Sequence, residues 1–383
     1  MKKVFSLVIS VLLVLSMAAV SGAADVVRVG VFEPASGDNG AGGKQETLGI
    51  QFANYETPTV EIGGTEYQVE LVIVDNQSST AVAPSAAQTL VASGVSLVLG
   101  SYGSAVSIAA SDVFGDAGLA AIGITCTNPA VTLGNSHYFR ICFLDPFQGT
   151  VLGNFAKEQF GAEKAYVLAK LGDDYSVGLA QYFMEAFGRE NCVYETFPDG
   201  TSDYSSYVAS AKANNVDVFF APTSTEAAAL IIDQAFIQEL GAPILAGDTW
   251  DSNVVLNAAR GKDIRVYVTT FYQEGGAPEF DSGIKTWINA NPTAMANNGG
   301  DDKVAAVTAM GYDGYHVALE VLRMAGSTNA ANVLAVTPNL DFTGITGPIA
   351  FDENGDAKRD TAFVKFCDTE TGEWVFVAQQ GVN

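Results

Sequence analysis

Short, nearly uninterrupted apolar runs rich in β-branched residues alternate along this chain with longer stretches in which apolar residues recur every three or four positions. Val26–Phe32, Val69–Val74, Val95–Leu99, Leu119–Ile124, Ala165–Ala169, Val216–Phe220 and Ile244–Ala246 predict strands covered on both faces, because a strand with one wet face would alternate polar and apolar residues. Helices are predicted near 80–93, 104–115, 146–160, 176–188, 204–214 and 225–240. In the last, Ala229, Ile232, Phe236 and Leu240 recur at helical spacing, and Gly241 followed by Pro243 stops the helix. Strands and helices alternating at this rhythm predict α/β architecture, with parallel sheets chained through right-handed crossovers. There are too many strands for one comfortable sheet, so two Rossmann-like lobes are expected. Beyond Ala246 the pattern changes. A helix near 278–290 and a Gly- and Asn-rich loop at 297–302 precede a long helix from Val304 to about Ala325. Two short strands follow within Leu340–Phe351, then a closing hairpin of Ala362–Phe366 and Trp374–Val377. No repeat and no flexible linker separates the lobes, so the chain is expected to cross between them several times. The expected division is 25–145 with 273–350 for lobe one, and 146–272 with 351–383 for lobe two.

The chain has 383 residues, 48% of them hydrophobic, which excludes a disordered chain and supplies more than one core. Acidic residues number 43 against 19 basic ones, a formal net charge of −24. A surface that negative repels phosphate backbones and anionic lipid heads, so no nucleic acid and no membrane surface is expected as a partner. At the start, Lys2 and Lys3 precede an apolar run from Val4 to Val20 and the small residues Ser21, Gly22, Ala23 and Ala24. This is the order of a secretory signal peptide, residues 1–24. No cysteine stands near its exit, so no lipid anchor is expected, and losing two lysines takes the mature charge to −26. The expected location is the periplasm.

The usual catalytic signals are missing. His137 and His316, the two histidines, read as structural, and no H-E-x-x-H, P-loop, G-x-S-x-G or S-x-x-K pattern occurs. The glycines at 37, 40, 42 and 43 do not make G-x-G-x-x-G and read as a mobile or tight loop. Cys126, Cys142, Cys192 and Cys367 lack metal-site spacing. Export permits disulfides, so Cys126 and Cys142 are either a bridge or small buried thiols, and the pairing of Cys192 with Cys367 stays open. No catalytic residue, no metal and no cofactor is expected.

What remains is polar chemistry at strand ends, where open α/β sheets bind ligands. Val95–Leu99 runs into Gly100-Ser101-Tyr102-Gly103-Ser104 and a helix start, a natural carboxylate site to which Ser104 adds a hydroxyl. Ser104 capping its own helix is the plainer reading. Leu119–Ile124 ends in Thr125-Cys126-Thr127-Asn128-Pro129. In the second half the strand ends carry Asp173-Asp174-Tyr175, Pro222-Thr223-Ser224-Thr225-Glu226 and Gly247-Asp248-Thr249-Trp250-Asp251. The first half offers donors for an anion; the second offers carboxylates for a cation and rings for an apolar body. A zwitterion between the lobes satisfies both.

These residues resemble the type I periplasmic binding proteins, specifically their branched-chain amino-acid-binding group. The resemblance rests on Arg28-Val29-Gly30-Val31 with Pro34-Ala35-Ser36-Gly37, Val69–Asp75, the 98–104 loop, and Thr125–Pro129. It extends through Phe139-Arg140 with Asp145, Gln148 and Gly149, then Asp174-Tyr175 with Gly178, then Gly247–Asp251, Tyr312-Asp313, and Gly344–Gly347 with Phe351–Gly355. It implies two lobes joined by a multi-crossover hinge, the Venus flytrap arrangement. It also implies a monomeric extracytoplasmic substrate-binding protein that hands an amino acid to the permease subunits of an ABC importer. The alternative is a sensing receptor of the same fold. By the same resemblance Ser104 binds the ligand carboxylate, while Thr127 serves the carboxylate through its N–H and the ammonium through its hydroxyl. The Thr125 carbonyl accepts from the ammonium, Tyr175 closes over the ligand, and Asp248 is the acidic ammonium partner. Asp251 takes that last role if the loop is shifted. Thr223 falls where some members place a tyrosine, and Tyr102 and Trp250 complete the candidate set. Two departures stand out. An aromatic contact of some relatives falls here in Gly40–Gly43, leaving room for a larger or more polar ligand unless Tyr102 or Phe147 fills it. Ser78 and Gly103 occupy the places of a disulfide found in some relatives.

Overall fold

The computed structural model describes residues 25–381, so the expected signal peptide lies outside the described residues. Two sheets form the frame. The first runs Thr59–Ile62, Thr65–Asp75, Asp25–Glu33, Leu97–Leu99, Ala121–Gly123, Tyr138–Arg140, parallel except at its hairpin edge. The second runs Glu373–Gly381, Thr361–Asp368, Val266–Thr270, Ile244–Ala246, Val218–Phe220, Ala165–Lys170, Cys192–Phe197. Its last five strands are parallel, and the C-terminal hairpin adds an antiparallel edge. Asp341–Gly344 and Gly347–Ala350 make a separate small hairpin.

Burial explains the continuous apolar strands. Val29, Val31, Leu97, Leu99 and Ile122 are wholly buried on one face of the first sheet against Ile50 and Val317 of two helices, Gly40–Glu56 and Ala306–Ala325. Phe32, Val98 and Ala121 point the other way, onto Leu90, Ala110 and Phe114 of the helices Ala83–Ala92 and Ser104–Asp116. The second sheet is sandwiched likewise, with Leu152, Phe155, Leu179 and Phe183 on one face and Val208, Ile231 and Leu256 on the other. One apolar cluster runs without a break from the first sheet through the hinge into the second lobe.

The chain passes between the sheets at Arg140–Asp145, after Thr270, and between Ala350 and Thr361. The first and third passages are bound together. Arg140 N–H donates to Gly355 O, Ala357 N–H donates to Arg140 O, both at 2.8 Å, and the buried Arg140 guanidinium pairs with Asp356 at 2.6 Å.

Several expectations need correction. Gly40 to Gly43 are the first turn of the helix Gly40–Glu56, not a loop. Small residues are needed there by close approach. A Cβ on Gly49 would lie 1.9 Å from Thr308 O, and one on Gly311 would lie 2.1 Å from Glu46 O, so the two helices cross backbone to backbone. Tertiary packing overrides the poor helix propensity of glycine. The strand at Val69 begins at Thr65, because Gly63-Gly64, both with positive φ, close a two-residue hairpin. The edge strand Cys192–Phe197 and the strand Val266–Thr270 were absent from the expected set. In the helix Thr225–Ile237 the buried side is Ala228, Ile231, Ile232 and Ala235, while Phe236 is exposed. All four cysteines are free thiols, so neither Cys126–Cys142 nor Cys192–Cys367 is bridged.

Candidate functional site

The first wall of the cleft is built at two neighbouring strand ends. The helix Ser104–Asp116 starts with no side-chain cap, and Ser104, Ala105 and Val106 of its first turn line a cavity. The free N–H groups there carry partial positive charge. Ser104 does not cap its own helix. Its hydroxyl accepts from Asn128 N–H at 3.1 Å, which ties the two loops together and leaves the hydroxyl proton free to donate. The 125–132 loop is held from behind by Arg140, which donates to Cys126 O at 2.8 Å, Asn128 O at 2.5 Å and Thr132 Oγ1 at 3.0 Å. Thr127 Oγ1 and both carboxylate oxygens of Asp145 are buried without a well-formed hydrogen bond, and burial, opposed by the nearby Thr127 hydroxyl, holds the Asp145 carboxyl well above the usual carboxylate range. The Thr125 hydroxyl donates to Glu46. Glu46 lies against Glu33, which accepts from Tyr102 N–H at 2.7 Å. Burial pushes Glu46 up to about 7; burial, and after it the Glu46 charge, raise Glu33.

The second wall centres on Asp248. Gln148 grips that residue at two points: its Nε2 donates to Asp248 Oδ1 at 2.9 Å and its Oε1 accepts from Asp248 N–H at 2.8 Å. Thr269 Oγ1 fixes the same Gln148 oxygen at 2.8 Å. Tyr175, in the first turn of the helix Asp174–Phe187, donates to Asp248 Oδ1 at 3.3 Å and reaches Thr249 Oγ1 at 3.2 Å. A Cβ on Gly247 would lie 2.3 Å from the Tyr175 hydroxyl, so the glycine makes room for that ring. Burial pushes Asp248 up to about 7.

The lobes meet across the cleft. Tyr102 OH donates to Thr249 O at 3.1 Å, Asn128 Nδ2 to Asp174 O at 2.7 Å, and Ser252 Oγ to Gln45 Oε1 at 3.0 Å. At the lip, Lys170 pairs with Asp38 at 2.5 Å. Between the walls lies a cavity of about 40 Å³ lined by Tyr102, Ser104, Val106, Tyr175, Ser224 and Thr249 among others.

The nine sequence candidates separate accordingly. Tyr102, Ser104 and Tyr175 line the cavity. Thr125, Thr127 and Asp248 are buried just behind it, at or below 2% exposure. Thr223 braces the wall, its carbonyl accepting from Thr249 Oγ1 at 2.8 Å and Trp250 Nε1 at 3.2 Å. Trp250 and Asp251 lie apart from the cavity lining. Trp250 is fully buried in the second lobe's core and its N–H is spent on Thr223. Asp251 is held by Lys365 at 2.9 Å and Thr270 at 2.5 Å. The reason is local: Asp248–Trp250 is a 3₁₀ turn, so Asp248 and Thr249 reach Tyr175 while the Trp250 side chain turns into the core. The space left by the missing aromatic is filled by Tyr102, whose ring a Cβ on Gly42 would meet at 2.3 Å. Phe147 instead packs on Phe143 in the hinge. His137 hydrogen-bonds Ser111, and His316 is half-buried, with its pKa lowered to about 4 by desolvation.

Glu46, Asn128, Gln148 and Thr249 contribute without having been singled out. Gln148 had a signal: it stands three residues after Asp145 on a helix that the hinge aims at the cleft. A Cβ on Gly178 would lie 2.7 Å from Asn128 Nδ2, which explains the glycine three residues after Tyr175.

Two α/β lobes crossed three times by the chain, with strand-end loops facing each other over a small cavity, define a two-lobed protein with an interlobe cleft. The chain belongs to the periplasmic binding protein family, whose sequence model matches residues 26–371, and within it to the type I branched-chain amino-acid-binding group. It is similar to the Leu/Ile/Val-binding protein homolog 1 of Brucella abortus (strain 2308), 29% identical over 338 residues that cover 87% of this chain and 88% of the relative. Among solved structures it is similar to the leucine-binding protein LivK of Thermotoga maritima, with a TM-score of 0.81 and 30% identity over 93% of this chain and 99% of the other. The branched-chain amino-acid transporter substrate-binding protein LivJ of Streptococcus pneumoniae, solved with isoleucine, shares the fold at a TM-score of 0.80 and 24% identity, over 94% and 99% of the two chains. Among the described residues no helix is long and apolar enough to cross a membrane.

Proposed function

We propose that this chain is the extracytoplasmic substrate-binding protein of an ABC importer, and that its ligand is a small aliphatic amino acid or a similar zwitterion held in the closed cleft. The observation that carries the reading is the pairing of two chemistries across one 40 Å³ cavity: an uncapped helix start with Ser104 on one lobe, and the Tyr175–Asp248 unit on the other. The helix N–H groups and the Ser104 hydroxyl receive the ligand carboxylate. The buried Thr127 hydroxyl and the Thr125 carbonyl serve the ammonium, and Asp248 supplies the negative charge it needs. Tyr175 covers the ligand, and Tyr102 limits its side chain. A cavity that size has room for the volume of roughly three waters, which favours the small end of the aliphatic series.

Only the closed form offers both walls, so the ligand shifts the open–closed equilibrium by its differential affinity, and hinge closure is the motion the three crossings allow. No chemistry on the ligand and no cofactor is involved. Residues 1–24 direct export and are removed, the lobes divide at the crossings (25–145 with 273–350, the rest in lobe two), and a closed monomer docks on the permease. The test is a thermal-shift screen of the twenty amino acids, small amides and organic acids on protein unfolded and refolded to strip bound ligand. A small aliphatic amino acid raising the melting temperature supports the reading; stabilisation by non-zwitterions alone overturns it.

A further inference from the structure

A second cavity lies in the hinge and belongs to none of the cleft chemistry. It measures about 220 Å³, five times the cleft cavity. Its apolar walls are Phe143 from the first crossing, Phe271 from the second, Met310 from the long helix, and Phe363 just past the third. The Phe143 and Phe271 rings lie 4.2 Å apart, centroid to centroid. Lys358 and Arg359 stand at its edge beside Asp360, and among the described residues none of the three makes an ion pair. Two adjacent cations without a direct ion pair thus stand at this cavity, with the Asp360 carboxylate in its lining and Asp313 acting on Arg359. The Arg359 guanidinium spends N–H groups on Ile141 O and on Thr346, whose hydroxyl also binds the Asp313 carboxylate; burial lowers its pKa, and the Asp313 charge opposes that.

We propose that this hinge cavity is a second binding site, for a small organic acid with an aromatic or branched apolar body. An apolar cavity of about 150 Å³ takes up benzene, so 220 Å³ accommodates a phenyl ring and its carboxylate tail. The ring enters between Phe271, Met310 and Phe363, and the carboxylate meets Lys358 and Arg359 at the edge. The walls come from all three crossings, so the site belongs to the hinge rather than to either lobe alone.

The probe is phenylacetate, with the cation phenethylamine as control, and the reporter is the methyl signal of Met310 in protein labelled with ¹³C-methyl methionine. Phenylacetate is expected to shift that signal saturably at millimolar concentration, in the parent protein and equally in Ser104→Ala, whose cleft is impaired. Lys358→Glu is expected to weaken the effect about ten-fold, the loss of one charge-assisted contact. The Met184 methyl in the second lobe reports whether that variant keeps its fold. No shift of Met310, an equal shift with phenethylamine, or competition by the cleft's amino acid at one shared site overturns the proposal. Each of these is independent of whether the cleft ligand is an amino acid. A cavity that only gives the hinge room to bend yields the first of them.

Discussion

Removing one oxygen, in Ser104→Ala, separates a binding role from a bracing role, because the proposed function gives that hydroxyl the first and the structure shows the second. It accepts from Asn128 N–H at 3.1 Å, inside a buried junction of the two first-lobe loops. Without it a buried donor is stranded, at about 1–3 kcal/mol of folding stability. The same hydroxyl keeps its proton free for the ligand carboxylate, and a hydrogen bond to a charged partner contributes about 1.5–3 kcal/mol, which is about ten- to a hundred-fold in Kd. Urea unfolding of the stripped protein reads the first quantity; calorimetric titration with the ligand reads the second. Both should change. A stability loss with Kd unchanged within a factor of two would refute the binding role and leave Ser104 as a brace for the 125–132 loop.

Three further outcomes follow from the same geometry. Asp248 keeps its proton up to about 7 in the folded protein, against 3.8 for the ordinary side chain. The folded state therefore binds more protons than the unfolded one between those values, so the stripped protein loses stability as pH rises from about 4 through 7, and Asp248→Asn flattens part of that slope in pH-dependent urea melts. Ligand affinity moves the other way, rising through pH 7 as Asp248 ionises to meet the ammonium; a flat calorimetric profile contradicts this pairing. Asp251→Asn leaves Lys365 buried and uncompensated, so it should cost about 3–5 kcal/mol of stability while the folded fraction binds ligand normally; an affinity loss matching that of Asp248→Asn would return Asp251 to the binding set. Gly49→Ala drives a Cβ to within 1.9 Å of Thr308 O and should cost about 1–3 kcal/mol or more through forced separation of two helices; an unchanged melting temperature would mean the helices are not locked there.

The legible part of this molecule is the part whose physics is local. Doubly covered strands such as Val29–Val31 and Leu97–Leu99 must be continuously apolar, and that pattern located both sheets. Strand ends then located Ser104, Thr127, Tyr175 and Asp248, since polar residues cluster where parallel sheets offer their carboxyl edges. The illegible part depends on what comes near from elsewhere. Gly40 to Gly43 read as a loop because glycine is a poor helix former, and only the approach of Ala35, Pro34 and Tyr102 explains a helix start rich in glycine. Asp248 and Asp251 are indistinguishable by composition; a 3₁₀ turn and a lysine 114 residues away decide which one is spoken for. Gln148 is an ordinary amphipathic-helix polar residue until the hinge folds its amide onto Asp248. The edge strand Cys192–Phe197, half-buried, carries neither the continuous nor the alternating signature in full.

The central claim is that the first lobe holds one ligand's carboxylate through Ser104, while the charge that holds its ammonium, Asp248, comes from the second lobe. The direct measurement is calorimetry with the best amino acid from the screen beside its carboxamide and its N-acetyl derivative. Loss of most of the affinity on masking either end is the predicted result, with Ser104→Ala least affected toward the carboxamide and Asp248→Asn least affected toward the N-acetyl form. Undiminished binding of either masked analogue would contradict the account.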